Sequence, residues 1–288
     1  MTTPALLRKL PDGTPIPALG LGTWRMGERT DQRSAEILAV REALRLGYRL
    51  IDTAEMYGEG GAETMLGIAL QQAFAAGEAR REDLTIVSKV YPHHASTQGV
   101  IDACERSLRR LKLDSIDLYL LHWRGEFPLA QTLAGFATLQ ARGRIRHWGV
   151  SNFDVDDMEE LDTLPGGSQC AANQVYYSLS ARGVEFDLLP WQAKRRLPLM
   201  AYSPIDQGAL SGHSAVLAIA QQLGVSAAQV ALAWVLRQPD VIAIPKAVRG
   251  AHLRDNLAAT QLRLSTADCD LLDVHFPPPR RKHSLAMI

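Results

Sequence analysis

Four side chains in this 288-residue sequence would do chemistry together if folding brought them to one place: Asp52, Tyr57, Lys89 and His122. Asp52 directly follows Arg49-Leu50-Ile51, Lys89 follows Thr85-Ile86-Val87-Ser88, and His122 follows the apolar run Ile116 to Leu121. Tyr57 lies in the loop that starts at Thr53 and ends at Gly58. A phenol with its ordinary pKa of about 10 is a poor proton donor or base at neutral pH. A nearby ammonium stabilises the phenolate, and a carboxylate paired with the lysine holds that ammonium in place. A histidine donating a hydrogen bond can position and polarise a carbonyl group. The set suits protonation of a carbonyl oxygen while a hydride reaches its carbon. Taken singly, each residue has a plainer reading: a cap for Asp52, a solvated amine for Lys89, packing rings for Tyr57 and His122. Their joint placement at strand ends carries the argument.

Positioning them is the task of an alternating chain. Short apolar runs read as strands at Ala18–Leu21, Arg49–Ile51, Leu84–Ser88, Ile116–Leu121, Ile145–Val150, Ala172–Val175, Leu199–Ala201 and Ile242–Ile244. Between them, helical patterns cover Arg33–Leu46, Glu63–Ala76, Thr97–Leu111, Pro128–Ala141, Val155–Leu161, Val184–Arg195 and His213–Leu236. The last is interrupted at Leu223-Gly224, with Ser226 as the cap of its second half, and further helices are expected at Ala251–Ala259 and Ala267–Val274. Gly47, Gly77 and Gly143 stand where left-handed helix ends are wanted. Pro11-Asp12-Gly13-Thr14 reads as the turn of a small hairpin with arms Leu6–Leu10 and Thr14–Ile16. Strands and helices alternating through one undivided domain, residues 1–288, point to an α/β fold of the (β/α)8 TIM barrel class with an N-terminal β-hairpin and extra helices. A doubly wound open sheet is the alternative, because alternation alone does not show closure. Pro277-Pro278-Pro279 followed by Arg280-Arg281-Lys282 marks residues 277–288 as a surface tail.

Composition narrows the function. With 31 basic and 31 acidic side chains the formal net charge is zero, which argues against a nucleic-acid partner or a polybasic membrane contact. Three scattered cysteines, Cys104, Cys170 and Cys269, form no metal knuckle or disulfide framework. His93 and His94 are adjacent in sequence and need not face one ligand, so no metal site is expected. The first residues lack the continuous apolar stretch of a secretory signal, and a cytoplasmic setting is the expectation.

A dinucleotide-binding fold is not indicated. Gly20-Leu21-Gly22-Thr23-Trp24-Arg25 has arginine where the phosphate fingerprint needs its third glycine, and bulky Trp24 follows the second glycine. A bound nicotinamide nucleotide would therefore need another route.

At this point the chain resembles the aldo-keto reductase family, over nearly its whole length. Gly20-Leu21-Gly22-Thr23-Trp24 looks like the first-strand motif, and Gly47-Tyr48-Arg49-Leu50-Ile51-Asp52-Thr53-Ala54 through Tyr57-Gly58 like the second-strand signature. Ser88-Lys89-Val90, Leu120-Leu121-His122-Trp123, Gly149-Val150-Ser151-Asn152-Phe153, Asn173-Gln174-Val175, Ala201-Tyr202-Ser203-Pro204 and Ile244-Pro245-Lys246 follow in the family's order. Within the family it is most similar to the bacterial branch associated with methylglyoxal and other small aldehydes. The resemblance implies NADPH-dependent carbonyl reduction, with Tyr57 as general acid, Asp52 and Lys89 lowering its pKa, and His122 orienting the carbonyl. It places Ser151, Asn152 and Gln174 on the nicotinamide carboxamide and Tyr202 against its ring. Gly22, Thr23, Trp24, Asp52 and Ser203 count among the cofactor contacts, and the segment Ser203–Gly212 covers the pyrophosphate. Lys246 meets the adenosine 2′-phosphate and Asn256 the adenine. Here the sequence departs from the pattern: His252 stands where many members have arginine and Ala247 where they have serine, so Arg249 is the substitute cation.

Trp24 and Trp123 follow strand ends and are expected, with Tyr57 and His122, to form the substrate site; Met26 and Tyr91 are candidates to join them. Short loops at Trp123–Phe127 and Pro204–Gly212 imply an open, shallow pocket for short aldehydes. The family implies a monomer. Two rival readings stand beside the reductase. One is a Schiff-base lyase using Lys89, against which Asp52 tells because a carboxylate keeps the amine charged. The other is an NADPH-binding redox sensor or regulatory barrel with little turnover.

Overall fold

In the computed structural model, which describes residues 6–288, the apolar runs form parallel strands and the stretches between them form helices. A two-stranded antiparallel hairpin comes first, β1 (Leu7–Lys9) paired with β2 (Pro15–Pro17). Eight parallel strands follow: β3 (Leu21–Gly22), β4 (Leu50–Asp52), β5 (Thr85–Val90), β6 (Ile116–Leu121), β7 (Ile145–Ser151), β8 (Asn173–Tyr176), β9 (Leu199–Tyr202) and β10 (Val241–Ala243). Each pairs with its sequence neighbour. Closure comes from the two ends of the sheet, where Gly20 N donates to Ala243 O at 2.9 Å and Ala243 N to Ala18 O at 2.8 Å. Parallel bridges join Leu19 to Ala243 and Gly22 to Lys246. The open-sheet alternative is thereby excluded, and the fold is a (β/α)8 barrel.

Helices α1 (Arg33–Leu46), α2 (Gly61–Ala75), α3 (Thr97–Leu111), α4 (Leu129–Ala141), α5 (Val155–Thr163), α6 (Leu188–Lys194), α7 (Ser214–Leu223), α8 (Ala227–Leu236), α9 (Gly250–Ala258) and α10 (Thr266–His275) surround the strands. The break between α7 and α8 falls at Gly224, and Ser226 with Gln229 forms the capping box that starts α8. Two boundaries differ from the sequence reading. The expected helix Val184–Arg195 is a 3-10 turn at Gly183–Glu185 followed by the shorter α6, because Asp187, at φ −138° and ψ −42°, departs from helical geometry between them. The first strand is displaced toward its C-terminal end, with Leu19 held only by an isolated bridge.

Side-chain parity along the strands decides what reaches the mouth of the barrel. Successive residues of a strand point to opposite faces. Leu50, Val87, Leu118, Leu120, Met200 and Ile242 belong to the core inside the barrel, while Ile51, Ile86, Tyr119 and Leu121 pack outward against the helices. Leu10 and Ile16 of the hairpin join the inner core and plug the N-terminal end. No single helix among the described residues is long and apolar enough to cross a membrane.

Gly22 of the first strand serves this closure. A Cβ on Gly22 would lie 2.7 Å from the backbone oxygen of Ile244, across the seam between β3 and the segment after β10. Gly22→Ala must push that backbone aside, and overpacking of this kind costs about 1–3 kcal/mol. A lower unfolding midpoint in the purified Gly22→Ala protein is the expected outcome, and a midpoint equal to the parent's would show that the seam has slack.

Candidate active site

The inward parity of the core continues past the strand ends into polar residues. Asp52 lies two residues beyond Leu50, Lys89 beyond Val87, His122 beyond Leu120, Tyr202 beyond Met200 and Lys246 beyond Ile244. All are therefore delivered to the C-terminal face, where barrels carry their chemistry. A cavity of about 820 Å³ opens there, lined by Asp52, Tyr57, His122 and Trp123 and also by Lys246, Arg249 and His252.

Lys89 is the centre of the group and is fully buried. An ammonium has three donors and no acceptor, and here all three are used. Lys89 Nζ donates to Asp52 Oδ2 at 2.7 Å, to the Thr53 carbonyl at 2.9 Å and to Tyr57 Oη at 3.1 Å. Burial alone would lower the Lys89 pKa, but Asp52 and the Tyr57 oxygen more than offset it, and the amine stays charged. Asp52 is fixed from its other side by Gln174, whose Nε2 donates to Asp52 Oδ1 at 2.7 Å. Gln174 thus braces the ion pair, a contact that sequence spacing did not reveal.

The electrostatics amend one expectation. Burial dominates Tyr57 and raises its pKa above the ordinary phenol value; Lys89 pulls it down, while the negative charge of Asp52 pushes it up. Asp52 therefore does not lower the Tyr57 pKa directly but acts by holding Lys89. The net effect keeps the phenol protonated at neutral pH. His122 moves the other way: burial first, and then the charge of Lys89, hold it well below the usual imidazole range. It is neutral at pH 7, with its ring 5.6 Å from the Tyr57 ring and nearly perpendicular to it. His122 Nδ1 is buried without a partner among the described residues. A lone pair tolerates such isolation better than an N–H does, which places the proton of the neutral ring on Nε2.

Other candidate residues separate into two groups. Gly22, Trp24, Ser151, Asn152, Tyr202 and Ser203 line the cavity. Tyr202 stacks one face on Tyr176, with ring centroids 5.7 Å apart, and its hydroxyl donates to Asn152 Oδ1 at 2.9 Å. Asn152 in turn donates to the His122 carbonyl at 3.1 Å. Thr23, Gln174 and Asn256 stand buried behind the cavity wall, with Thr23 Oγ1 donating to the Asp52 carbonyl at 3.0 Å. Met26 does not join the substrate wall but is fully buried in the core. Tyr91 supports the wall from behind, edge-on to Trp123 at 5.1 Å.

The C-terminal segment adds most to the sequence reading. Residues 277–288 are largely exposed, but they do not trail away from the body as a simple surface tail. Met287 and Ile288 line the cavity beside Tyr202. Lys282 anchors the segment by approaching Asp154 at 3.4 Å, Asp156 at 3.6 Å and Asp187 at 3.4 Å. The acidic start of α5 thus holds this strap. The pocket is correspondingly less open on one side than short loops alone imply. The available signal was the return to apolar residues at Leu285-Ala286-Met287-Ile288 after the basic run.

The depressed His122 pKa has a consequence for stability. His122 is neutral in the fold but protonates on unfolding below its ordinary pKa of about 6.5, so its contribution to folding is fully present above that value and is lost as pH falls toward the folded pKa. From pH 6.5 to pH 5 this one group removes up to about 1.4 kcal/mol per pH unit. His122→Gln should show a smaller fall in unfolding midpoint over that interval than the parent; equal slopes in the two proteins would disprove the assignment.

Comparison with known proteins agrees with this architecture. Residues 18–276 match the aldo/keto reductase family. Over 278 residues the chain is 49% identical to methylglyoxal reductase YeaE of Escherichia coli (strain K12), with 95% of each chain covered. It is 34% identical over 265 residues to glyoxal reductase of Bacillus subtilis (strain 168), covering 92% of this chain and 91% of that protein. Its fold matches the crystal structure of an aldo-keto reductase from Klebsiella pneumoniae in complex with NADPH at a TM-score of 0.94 and 44% identity, covering 99% of this chain and 100% of the other. With a closed barrel, a polar mouth and relatives matched along almost their full length, the chain is an oxidoreductase of the aldo/keto reductase family.

Proposed function

We propose that this chain, acting as one barrel domain, reduces methylglyoxal and similar small aldehydes or ketones to alcohols with NADPH, and that Tyr57 is the general acid. One observation carries the reading: a protonated phenol lies 3.1 Å from a buried ammonium and beside a neutral imidazole, at the floor of an accessible cavity. Bound NADPH supplies the hydride. The chain's own residues supply the rest. His122 Nε2 donates to the carbonyl oxygen and orients it. Tyr57 transfers its proton to that oxygen as negative charge develops, and Lys89 stabilises the phenolate left behind. Asp52, braced by Gln174, keeps Lys89 charged and aimed at Tyr57.

The cavity fits such a nucleotide. Lys246, Arg249 and His252 collect at the N-terminal end of α9, whose first turn carries no side-chain cap. Unpaired N–H groups beside a lysine and an arginine form a site for a phosphate monoester. Ser151 and Asn152 border the deep end, and the free face of Tyr202 is available to a planar ring. Apolar Trp24, Trp123 and Met287 leave room for a short carbonyl compound over Tyr57. A Schiff-base role for Lys89 is disfavoured by the same ion pair that serves the reductase. A cofactor-binding sensor would have no use for the neutral donors at the cavity floor.

The decisive experiment follows NADPH oxidation with methylglyoxal. Tyr57→Phe should lower kcat by at least about 100-fold, the scale of general acid catalysis, with NADPH binding retained. Undiminished turnover without the Tyr57 hydroxyl would remove the acid assignment. Lys246→Met should weaken NADPH by about 10- to 100-fold, the range for a lost charge-assisted hydrogen bond, and change NADH binding by less than about threefold. Fluorescence titration with both cofactors checks this, and equal losses for the two would place the 2′-phosphate elsewhere.

A further inference from the structure

Glu55 takes no part in the chemistry described above, yet its carboxylate is buried two residues before Tyr57, with the residue only 8% exposed. Burying a carboxylate costs free energy unless the charge is used. Its neighbours are the Tyr91 backbone N–H, which donates to Glu55 Oε1 at 2.8 Å, and His94 Nδ1 at 2.9 Å from the same oxygen. Arg106 approaches Oε2 at 3.4 Å and Arg110 at 4.0 Å, both from α3. None of these side chains depends on Glu55 alone. His94 and Arg106 are substantially exposed and can be solvated, and Arg110 has its own buried partner in Glu63 at 2.6 Å. The contact that only this carboxylate makes is the one to the Tyr91 amide.

That contact joins the two strand ends whose alignment the reaction requires. Glu55 belongs to the loop after β4, which carries Tyr57, while Tyr91 directly follows β5, which carries Lys89. The backbone of the loop after β4 is paired with β5 at two further points, where Thr53 N donates to the Val87 carbonyl at 2.9 Å and, closer to Tyr57, Glu55 N donates to the Lys89 carbonyl at 3.3 Å, a long bond. Beyond Thr53, on the side of Tyr57, the Glu55 carboxylate supplies the short bond at 2.8 Å. Tyr91 also stands edge-on to Trp123, so the same staple sets the wall beside the carbonyl site. We propose that Glu55 is a positioning residue that staples the Tyr57 loop to the end of the Lys89 strand, so that the phenol is held at hydrogen-bond distance from the ammonium and under the substrate wall. The inference rests on the reading of Tyr57 as general acid.

A displacement of about 1 Å at a reacting group can cost on the order of 100-fold in rate, so loosening a staple should be visible in kcat. Glu55→Ala removes the acceptor and should lower kcat for methylglyoxal by about 10-fold or more. Glu55→Gln keeps an oxygen for the Tyr91 amide but loses the pull of the cations, and should fall between Glu55→Ala and the parent. NADPH affinity and binding stoichiometry should stay within about twofold of the parent's in both variants, because Glu55 is remote from the phosphate and ring sites. The discriminating measurement is the double variant. If Glu55 acts through Tyr57, adding Glu55→Gln to Tyr57→Phe slows the enzyme little further, a departure from additivity expected of coupled residues. Full additivity, a kcat unchanged in Glu55→Ala, or a loss that only matches the loss of NADPH-binding sites would each overturn the proposal. Should Tyr57→Phe alone retain parental turnover, the acid reading itself would fall, and the two failures are thereby told apart.

Discussion

A buried ammonium with every donor occupied is the constraint on which the mouth of this barrel depends. Lys89 has no solvent to fall back on, so Asp52, the Thr53 carbonyl and Tyr57 must all stay within reach of one nitrogen. Removing one partner of a buried charge pair typically costs about 3–5 kcal/mol, a large share of the 5–15 kcal/mol that keeps an ordinary domain folded. Fold and site are therefore coupled through one atom. The loop after β4 cannot drift without breaking two of the three bonds to Lys89 Nζ. Gln174, reaching across from β8, ties the pair to the opposite side of the barrel.

Much of this was legible because a barrel strand has a period of two. Once Leu50, Val87 and Leu120 are recognised as core-facing, the residues two places on must point the same way, and those are Asp52, Lys89 and His122. The sequence therefore reveals the convergence of these side chains without any knowledge of loop shape. Tyr57 was harder to place by periodicity, since it sits beyond the strand in a 3-10 turn containing Gly58 and Glu59 in left-handed conformations. Helix ends were legible for a similar local reason: Gly47, Gly77 and Gly143 all have positive φ, as their positions after helices require.

What escaped the sequence was what depends on contacts between distant segments. Gln174 and Asp52 are 122 residues apart, and nothing in the spacing marks one as the brace of the other. Glu55 reads as an ordinary polar loop residue until its burial is known. Met26 has the composition of a pocket residue and the location of a core residue, a distinction that only packing makes. The tail is the clearest case. Its prolines and basic residues account for its exposure but not for its course, which is set by Lys282 meeting carboxylates on two other elements.

Desolvation acts on the two donors of the site in opposite directions and leaves both neutral. It raises the phenol of Tyr57, which disfavours the phenolate, and lowers the imidazole of His122, which disfavours the imidazolium. Between them stands a cation that burial would also neutralise were it not paired with Asp52. A carbonyl oxygen placed at this point would meet two neutral hydrogen-bond donors, only one of which has a positive charge directly behind it. Proton transfer from Tyr57 leaves a phenolate at hydrogen-bond distance from Lys89, whereas transfer from His122 would leave an imidazolate with no such support. In the proposed reaction, the asymmetry of one ion pair, rather than the intrinsic acidity of either ring, favours Tyr57 as the proton donor and leaves the orienting role to His122.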